Sequence, residues 1–263
     1  MTAIQVGQHL ISFNKVTKTY TTMSGEHIQA LDGIQGHICE QEFVSIIGPS
    51  GCGKSTLLKI VAGLLTATDG QVMIRNVPVT GPQKGSVGVV FQTPVLLPWK
   101  TILDNVLLPA QVLKLNAGGG DFIVQRAHEL LQLVGLQGFE RNYPRELSGG
   151  MQQRVSIARS LIHNPLILLM DEPFGALDAI TREQMNLELQ RVWEVNKKTV
   201  MFITHNIAEA VFLSDRIFVM KARPGQILTV VKVDLPRPRD IALMATEAFA
   251  KISGHVRSTL EGF

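Results

Sequence analysis

The sequence predicts an α/β fold: a mainly parallel β-sheet covered on both faces, a β-rich N-terminal region ahead of it, and a helical subdomain inserted into it. Three observations predict it. A short apolar run, Phe43 to Ile47, leads into the glycine-rich turn Gly48 to Thr56 and then into an apolar helical pattern. Buried-strand runs at Leu166 to Met170, Val200 to Thr204 and Ile217 to Met220 alternate with helical stretches, the pattern of βα crossovers and parallel pairing. Between these two parts, from about Thr93 to Ile162, the chain turns helical.

From Ile11 to about Thr80 the chain reads as strands such as Leu10–Phe13, Phe43–Ile47 and Gln71–Ile74. Glycine turns at Asp32-Gly33 and Asp69-Gly70 separate them. One helix interrupts this region, Ser55 to about Leu65, ending near Gly63. In the middle part, Asp121 to Val134 carries Phe122, Ile123, Ala127, Leu130, Leu131 and Val134 at helical spacing. Asp121 is the expected N-cap, and the triplet Gly118-Gly119-Gly120 the flexible lead-in. A further helix is expected over Met151–His163. Helices at Ala179–Val195 and Ile207–Leu213 separate the later strands, and the tail opens with PRPRD and adds one helix, Ile241–Ser253. The whole reads as one unit, with core 8–92 and 163–235, helical subdomain about 93–162 and C-terminal tail 236–263.

Composition narrows the function classes. With 45% hydrophobic and 18% charged residues, a buried core is expected rather than disorder. The 25 basic and 22 acidic residues leave a net charge of +3, scattered rather than gathered into a stripe, so no nucleic-acid footprint is visible. Cys39 and Cys52 have no metal-ligand spacing, so neither a disulfide framework nor a zinc site is expected, and a reducing compartment is the natural reading. The stretch Met1 to Phe13 lacks a basic start followed by a long apolar run, and no run approaches ~18 apolar residues. The sequence therefore assigns any membrane role to partners.

Chemistry concentrates at strand ends and glycine turns. Gly48, Gly53, Lys54 and Ser55 fit the phosphate-binding spacing G-x-x-x-x-G-K-[ST]. Backbone N–H groups and a helix N-terminus there cradle polyphosphate. Cys52 lies in this turn near a helix start, which is expected to lower its thiol pKa; the plainer reading is a small loop filler. Asp171 and Glu172 end the run LILLMDEP, where a parallel sheet presents ligands. Asp171 can orient Mg²⁺ together with Ser55, and Glu172 can take a proton from an attacking water. His205 ends the run MFITH, placed to touch a γ-phosphate or to hold Glu172 and water. Gln92 ends VGVVFQ, where its amide can reach metal or water, and Tyr20 offers a ring to an adenine. Ser148-Gly149-Gly150 opens a second helix as another anion-ready N-terminus. One phosphate loop suffices for one nucleotide, so this second turn suggests a nucleotide on another copy of the chain.

In this order the elements resemble the ATP-binding subunit of ABC transporters over nearly the whole chain. They are aromatic Tyr20, the Walker A turn (Gly48, Pro49, Ser50, Gly51, Cys52, Gly53, Lys54, Ser55, Thr56), Gln92, the signature Leu147–Gln153, the Walker B strand Leu166–Glu172, the segment Gly175–Asp178 and His205. The resemblance implies a P-loop NTPase core of ABC type and an ATPase that uses ATP and Mg²⁺. It puts Lys54 on the β- and γ-phosphates, Ser55, Gln92 and Asp171 at Mg²⁺, and Glu172 as general base with His205 and Gln92 beside it. Ser148, Gly149 and Gly150 would contact the ATP of the opposite copy, with Asp178 at the seam. The implied partners are a second identical or similar ATPase subunit, transmembrane permease subunits and, indirectly, an extracytoplasmic solute-binding protein, with no nucleic acid. The implied location is peripheral, on the cytoplasmic face of the inner membrane. Met151 departs from the glutamine frequent at the fifth signature position. Three short motifs, Leu96–Trp99 (LLPW), Ala222–Gly225 (ARPG) and Leu235–Arg239 (LPRPR), are similar to the nitrate/sulfonate/taurine branch of importers. The competing reading is a soluble ABC-type ATPase acting on nucleic acid or ribosomes.

Overall fold

The computed structural model describes residues 9–115 and 120–262. Two long strands, β1 (His9–Thr21) and β2 (His27–Cys39), form an antiparallel pair; β3 (Phe43–Ile47), α1 (Lys54–Val61), β4 (Asp69–Ile74), β5 (Val77–Pro78) and β6 (Val87–Val90) follow. Three helices come next: α2 (Ile102–Val112), α3 (Gly120–Leu133) and α4 (Gly149–Leu161). The chain then alternates β7 (Ile167–Asp171), α5 (Ala179–Asn196), β8 (Thr199–Ile203), α6 (Ile207–Leu213) and β9 (Arg216–Lys221), and closes with β10 (Gln226–Lys232) and α7 (Glu247–Glu261).

The strands make two sheets. One is antiparallel, ordered β2-β1-β4-β5. The other is ordered β10-β9-β3-β8-β7-β6, parallel throughout except for the antiparallel β10 edge. The central strands are buried on both faces, and their alternation assigns each face a core. Phe43, Ile47, Leu168, Met170, Val200 and Phe202 join the helices in one hydrophobic cluster. Val44, Ile46, Ile167, Leu169, Met201 and Ile203 pack with α1 and the antiparallel sheet in the other. A period-2 strand with apolar residues at both parities can be satisfied only between two layers.

Several expectations are corrected. Asp32-Gly33 is no turn: both residues lie inside β2, with Gly33 at φ 58 where the β1–β2 pairing shifts register. The hairpin turns instead at Thr22–Glu26, where the Glu26 carbonyl accepts from the Thr22 N–H at 2.9 Å. Helix α2 lies inside the segment expected to be helical, although its own bounds were not drawn there, and strand β10 was not expected. Asp121 sits within the first turn of α3, where its charge favours the helix dipole; Gly118 and Gly119 lie outside the described residues, as do 1–8. The tail helix is split: a 3₁₀ turn at Ile241–Ala245 stops at Thr246, whose hydroxyl caps α7 by accepting from Phe249 N at 3.3 Å.

The LPRPR segment braces the core. Arg239 is buried and donates to the carbonyls of Val211, Phe212 and Ser214 at 3.0, 2.8 and 2.9 Å, closing the C-terminal end of α6. Burial, with the Arg237 charge alongside, pushes its guanidinium down to about 10, which leaves it protonated at neutral pH. Arg237 bonds Asp215 at 3.0 Å and lies 4.3 Å over the Trp193 ring. Arg239→Met, which keeps the stem but orphans three carbonyls, should lower unfolding stability by roughly 2–4 kcal/mol. A urea midpoint equal to the parent's, at unchanged slope, would contradict that.

Candidate functional site

The site begins where β3 ends. A Cβ on Gly48 would lie 2.7 Å from the Met220 carbonyl oxygen and 2.8 Å from Cys52 Sγ, so only glycine lets the chain leave the strand here. Gly53, at φ 92, is the N-cap of α1 and offers no side-chain cap, so the first N–H groups of the helix remain available to an anion. Lys54 is almost fully buried, and its Nζ donates to Gly48 O at 2.8 Å and Pro49 O at 3.1 Å. A cavity of about 280 Å³ opens over the turn, lined by Ala30, residues Ser50 to Thr56 and Glu172. Tyr20, at the outer end of β1, is 40% exposed with its hydroxyl 3.4 Å from Thr56 Oγ1, at the rim of this turn.

Cys52 corrects an expectation. It is fully buried, and burial pushes its thiol up rather than down, with the Lys54 ammonium 3.8 Å from Sγ opposing this only in part. A helix N-terminus stabilises a thiolate, but desolvation outweighs it here.

Acidic groups face the turn from the neighbouring strand end. Ser55 Oγ donates to Asp171 Oδ1 at 2.9 Å, and burial pushes the Asp171 carboxyl up, with the Ser55 bond pulling the other way. A serine hydroxyl and a partly desolvated carboxylate, side by side and oxygen-only, are the donor set that Mg²⁺ prefers, so the residues present fit that ion. Glu172 sits in the left-handed region at φ 43, pinned by its N–H to Ile203 O at 2.9 Å. That backbone turns its carboxylate to His205, whose Nδ1 lies 3.0 Å from Oε2. Gln92, just beyond β6, comes to the same place. A Cβ on Gly175 would sit 3.3 Å from the Gln92 amide nitrogen and 3.6 Å from Glu172 Oε2.

The second glycine turn is built separately. Ser148 caps α4, its hydroxyl accepting from Met151 N at 3.3 Å. Gly150 packs on Thr181, where a Cβ would lie 3.3 Å from Cγ2. Asp178 caps α5 by accepting from Thr181 N at 3.0 Å, and its bonds to Thr181 hold its carboxyl below the usual range. Thr181 thus joins the signature turn to Asp178. Ser148 and Gly149 are exposed, and neither they nor Gly150 line the cavity over Gly48–Thr56 among the described residues.

Residues 31–175, more than half of the chain, match the model of the ABC transporter family. The chain belongs to that family. It is an ABC ATP-binding subunit and an ATPase. An uncharacterized ABC transporter ATP-binding protein of Methanocaldococcus jannaschii is 48% identical over 88% of this chain and 84% of that protein. An aliphatic sulfonates import ATP-binding protein, SsuB of Bacillus cereus, is 43% identical over 95% of this chain and 96% of its own length. Among solved structures, a dimeric ATP-binding cassette in a post-hydrolysis state with ADP and Pi bound overlays with a TM-score of 0.76 at 38% identity. It covers 86% of this chain and 100% of that one.

Residues beyond those assigned a role from the sequence also support the site. Ala30 reaches the cavity from β2. Gly225 presses on the phosphate turn, since a Cβ there would lie 2.2 Å from Cys52 O and 2.8 Å from Ala30 O. Buried Gln153 donates to Phe91 O at 3.2 Å, tying α4 to the residue before Gln92. Arg182 on α5 pairs with buried Glu209 on α6 at 3.3 Å, so the helices that follow Asp178 and His205 are joined. Gly225, inside the ARPG motif, and Gln153, at the end of the signature, left a trace in the sequence, though not these contacts; Ala30, Arg182 and Glu209 depend on contacts across the fold.

Proposed function

We propose that this chain is the ATP-hydrolysing motor of an ABC importer for a small solute such as nitrate, a sulfonate or taurine. It works as a head-to-tail dimer on a separate permease at the cytoplasmic face of the inner membrane. The observation that carries the reading is the split site: the phosphate turn has its cavity, and among the described residues the signature turn does not line it. A second copy supplies Ser148, Gly149 and Gly150 to complete each ATP site, with Asp178 at the seam. The sulfonate-import relative supports the importer branch. In the loop after Gln92, Trp99 is 70% exposed and Val95 57% exposed, and such apolar exposure suits a permease contact. Among the described residues no helix is long and apolar enough to cross a membrane.

Lys54 exchanges its loop carbonyls for β- and γ-phosphate oxygens, and the α1 N–H groups hold the same phosphates. Ser55 and Asp171, with Gln92 near, would hold Mg²⁺, which would supply positive charge against the charge that develops on the phosphates. Glu172 accepts the proton of the attacking water, oriented by His205 Nδ1 and flanked by the Gln92 amide. Tyr20 stacks the adenine. Residues 93–162 move as a helical subdomain against the core 8–92 and 163–235, carrying closure through Gln92 toward Trp99, with 236–263 as the bracing tail.

Ser148→Arg tests the split site. It should cut steady-state turnover at least about tenfold while leaving the ATP affinity of the dilute protein at the parent value. Weakened binding in the monomer would mean that Ser148 completes its own chain's site. Co-purification with a polytopic membrane protein is expected, and recovery with nucleic acid instead would favour the soluble ATPase reading.

A further inference from the structure

Three residues far from the nucleotide cavity come together through strand pairing alone. The β1–β2 register sets His9 opposite Cys39. His37 and Cys39 stand two apart on β2 and so share a face. The ligating atoms, one imidazole nitrogen from each histidine and Cys39 Sγ, all lie within 4.8 Å of one another. The two imidazoles stack at 3.8 Å with planes 16° apart. Local spacing in the sequence could not reveal this, because His9 is brought in from the other strand.

The surroundings suit a cation. The His37 imidazole is part-buried on β2 and stacked against His9, so its ring is held at the site rather than swung into solvent. Two positive groups are near, and each has an acidic partner: Arg216 donates to His37 O at 2.8 Å and pairs with Glu42 at 2.7 Å, and Arg75 pairs with Glu40 at 3.1 Å. His9 is exposed and lines an open cleft of about 600 Å³ with Glu40, Arg75 and Asn76, which gives an entry path and room for a water. Cys39 is a free thiol.

We propose that His9, His37 and Cys39 form a three-ligand site for a borderline-soft divalent ion of the Zn²⁺ class, with water in the fourth position. Imidazole and thiolate ligands at about 2.0–2.3 Å place tetrahedral donor atoms roughly 3.3–3.6 Å apart. Closing from within 4.8 Å to that spacing takes at most about 1.5 Å, supplied by rotating exposed His9 out of the stack. The ion staples the start of β1 to the end of β2, at the margin of the antiparallel sheet.

Cobalt(II) titration of the full-length protein in saturating Mg²⁺ and ATP tests this, since those fill the nucleotide site with a hard cation. One equivalent should give a thiolate-to-cobalt charge-transfer band with tetrahedral d–d absorption, displaced by Zn²⁺, and Zn²⁺ should raise the melting temperature. Cys39→Ser should abolish the thiolate band, and His9→Ala, at an exposed position where folding is not at stake, should weaken binding about tenfold or more. Both variants should keep the parent ATPase rate. Absence of the band in the parent, or a band that survives Cys39→Ser and is lost in Cys52→Ser, overturns the site.

Discussion

Glu172→Gln should lower steady-state ATP turnover by roughly 10²–10⁴ while ATP still binds. The amide keeps the side chain's shape and can still meet His205 Nδ1, 3.0 Å away in the parent, but it cannot take a proton. The backbone at φ 43 and the Glu172 N–H bond to Ile203 O are independent of the carboxylate, so the geometry of the site survives the change. Asp171 keeps its Ser55 partner, and the cation site is untouched. Binding measured by equilibrium titration and hydrolysis measured by phosphate release should therefore separate completely. Turnover near the parent's would remove Glu172 from the role of base and leave His205 or Gln92 to be tested in its place.

Lys54→Ala should act on binding itself, weakening ATP affinity roughly 10–100-fold. A charged hydrogen bond in a desolvated setting is worth about 1.5–3 kcal/mol. The lysine is almost fully buried beneath the turn, so no neighbouring surface cation replaces it. Its loss also releases the carbonyls of Gly48 and Pro49, which the ammonium bridges across the turn. A thermal melt without nucleotide measures that structural share, and the remaining loss in a nucleotide titration belongs to phosphate. An ATP affinity equal to the parent's would contradict the placement of Lys54 on the phosphates.

What could be read in the sequence was what lies contiguously along it. The turn Gly48–Thr56 advertises itself because β3, the glycines and α1 follow one another without a break. The doubly buried strands β7, β8 and β9 are short apolar runs of unmistakable character. Strand β2 was harder: Gly33 and Gly36 break its alternation, and register shifts with β1 let polar residues such as Asp32 lie within it. Helix α2 was hidden by Pro109 inside it, a residue that ordinarily argues against a helix. The supports of the site were illegible for a different reason. Arg182 finds Glu209, and Gln153 finds Phe91, only once α5 meets α6 and α4 meets the end of β6. The branch motifs ARPG and LPRPR were visible as strings, but their physical work, Gly225 under the phosphate turn and Arg239 behind α6, belongs to the folded chain.

The squeeze at Gly225 has a thermodynamic side. Its N–H donates to Ala30 O at 3.1 Å and its carbonyl accepts from Asp32 N at 2.9 Å, while its Cα passes directly beneath Cys52. The anion cradle is therefore wedged between β2 and the β9–β10 connection before any nucleotide arrives. Its N–H groups are aimed in advance, and the entropy of arranging them is lost when the chain folds, not when the ligand lands. Phosphate binding at this turn should resemble filling a mould, with the molecule's mobility left to segments other than the one that holds the ligand.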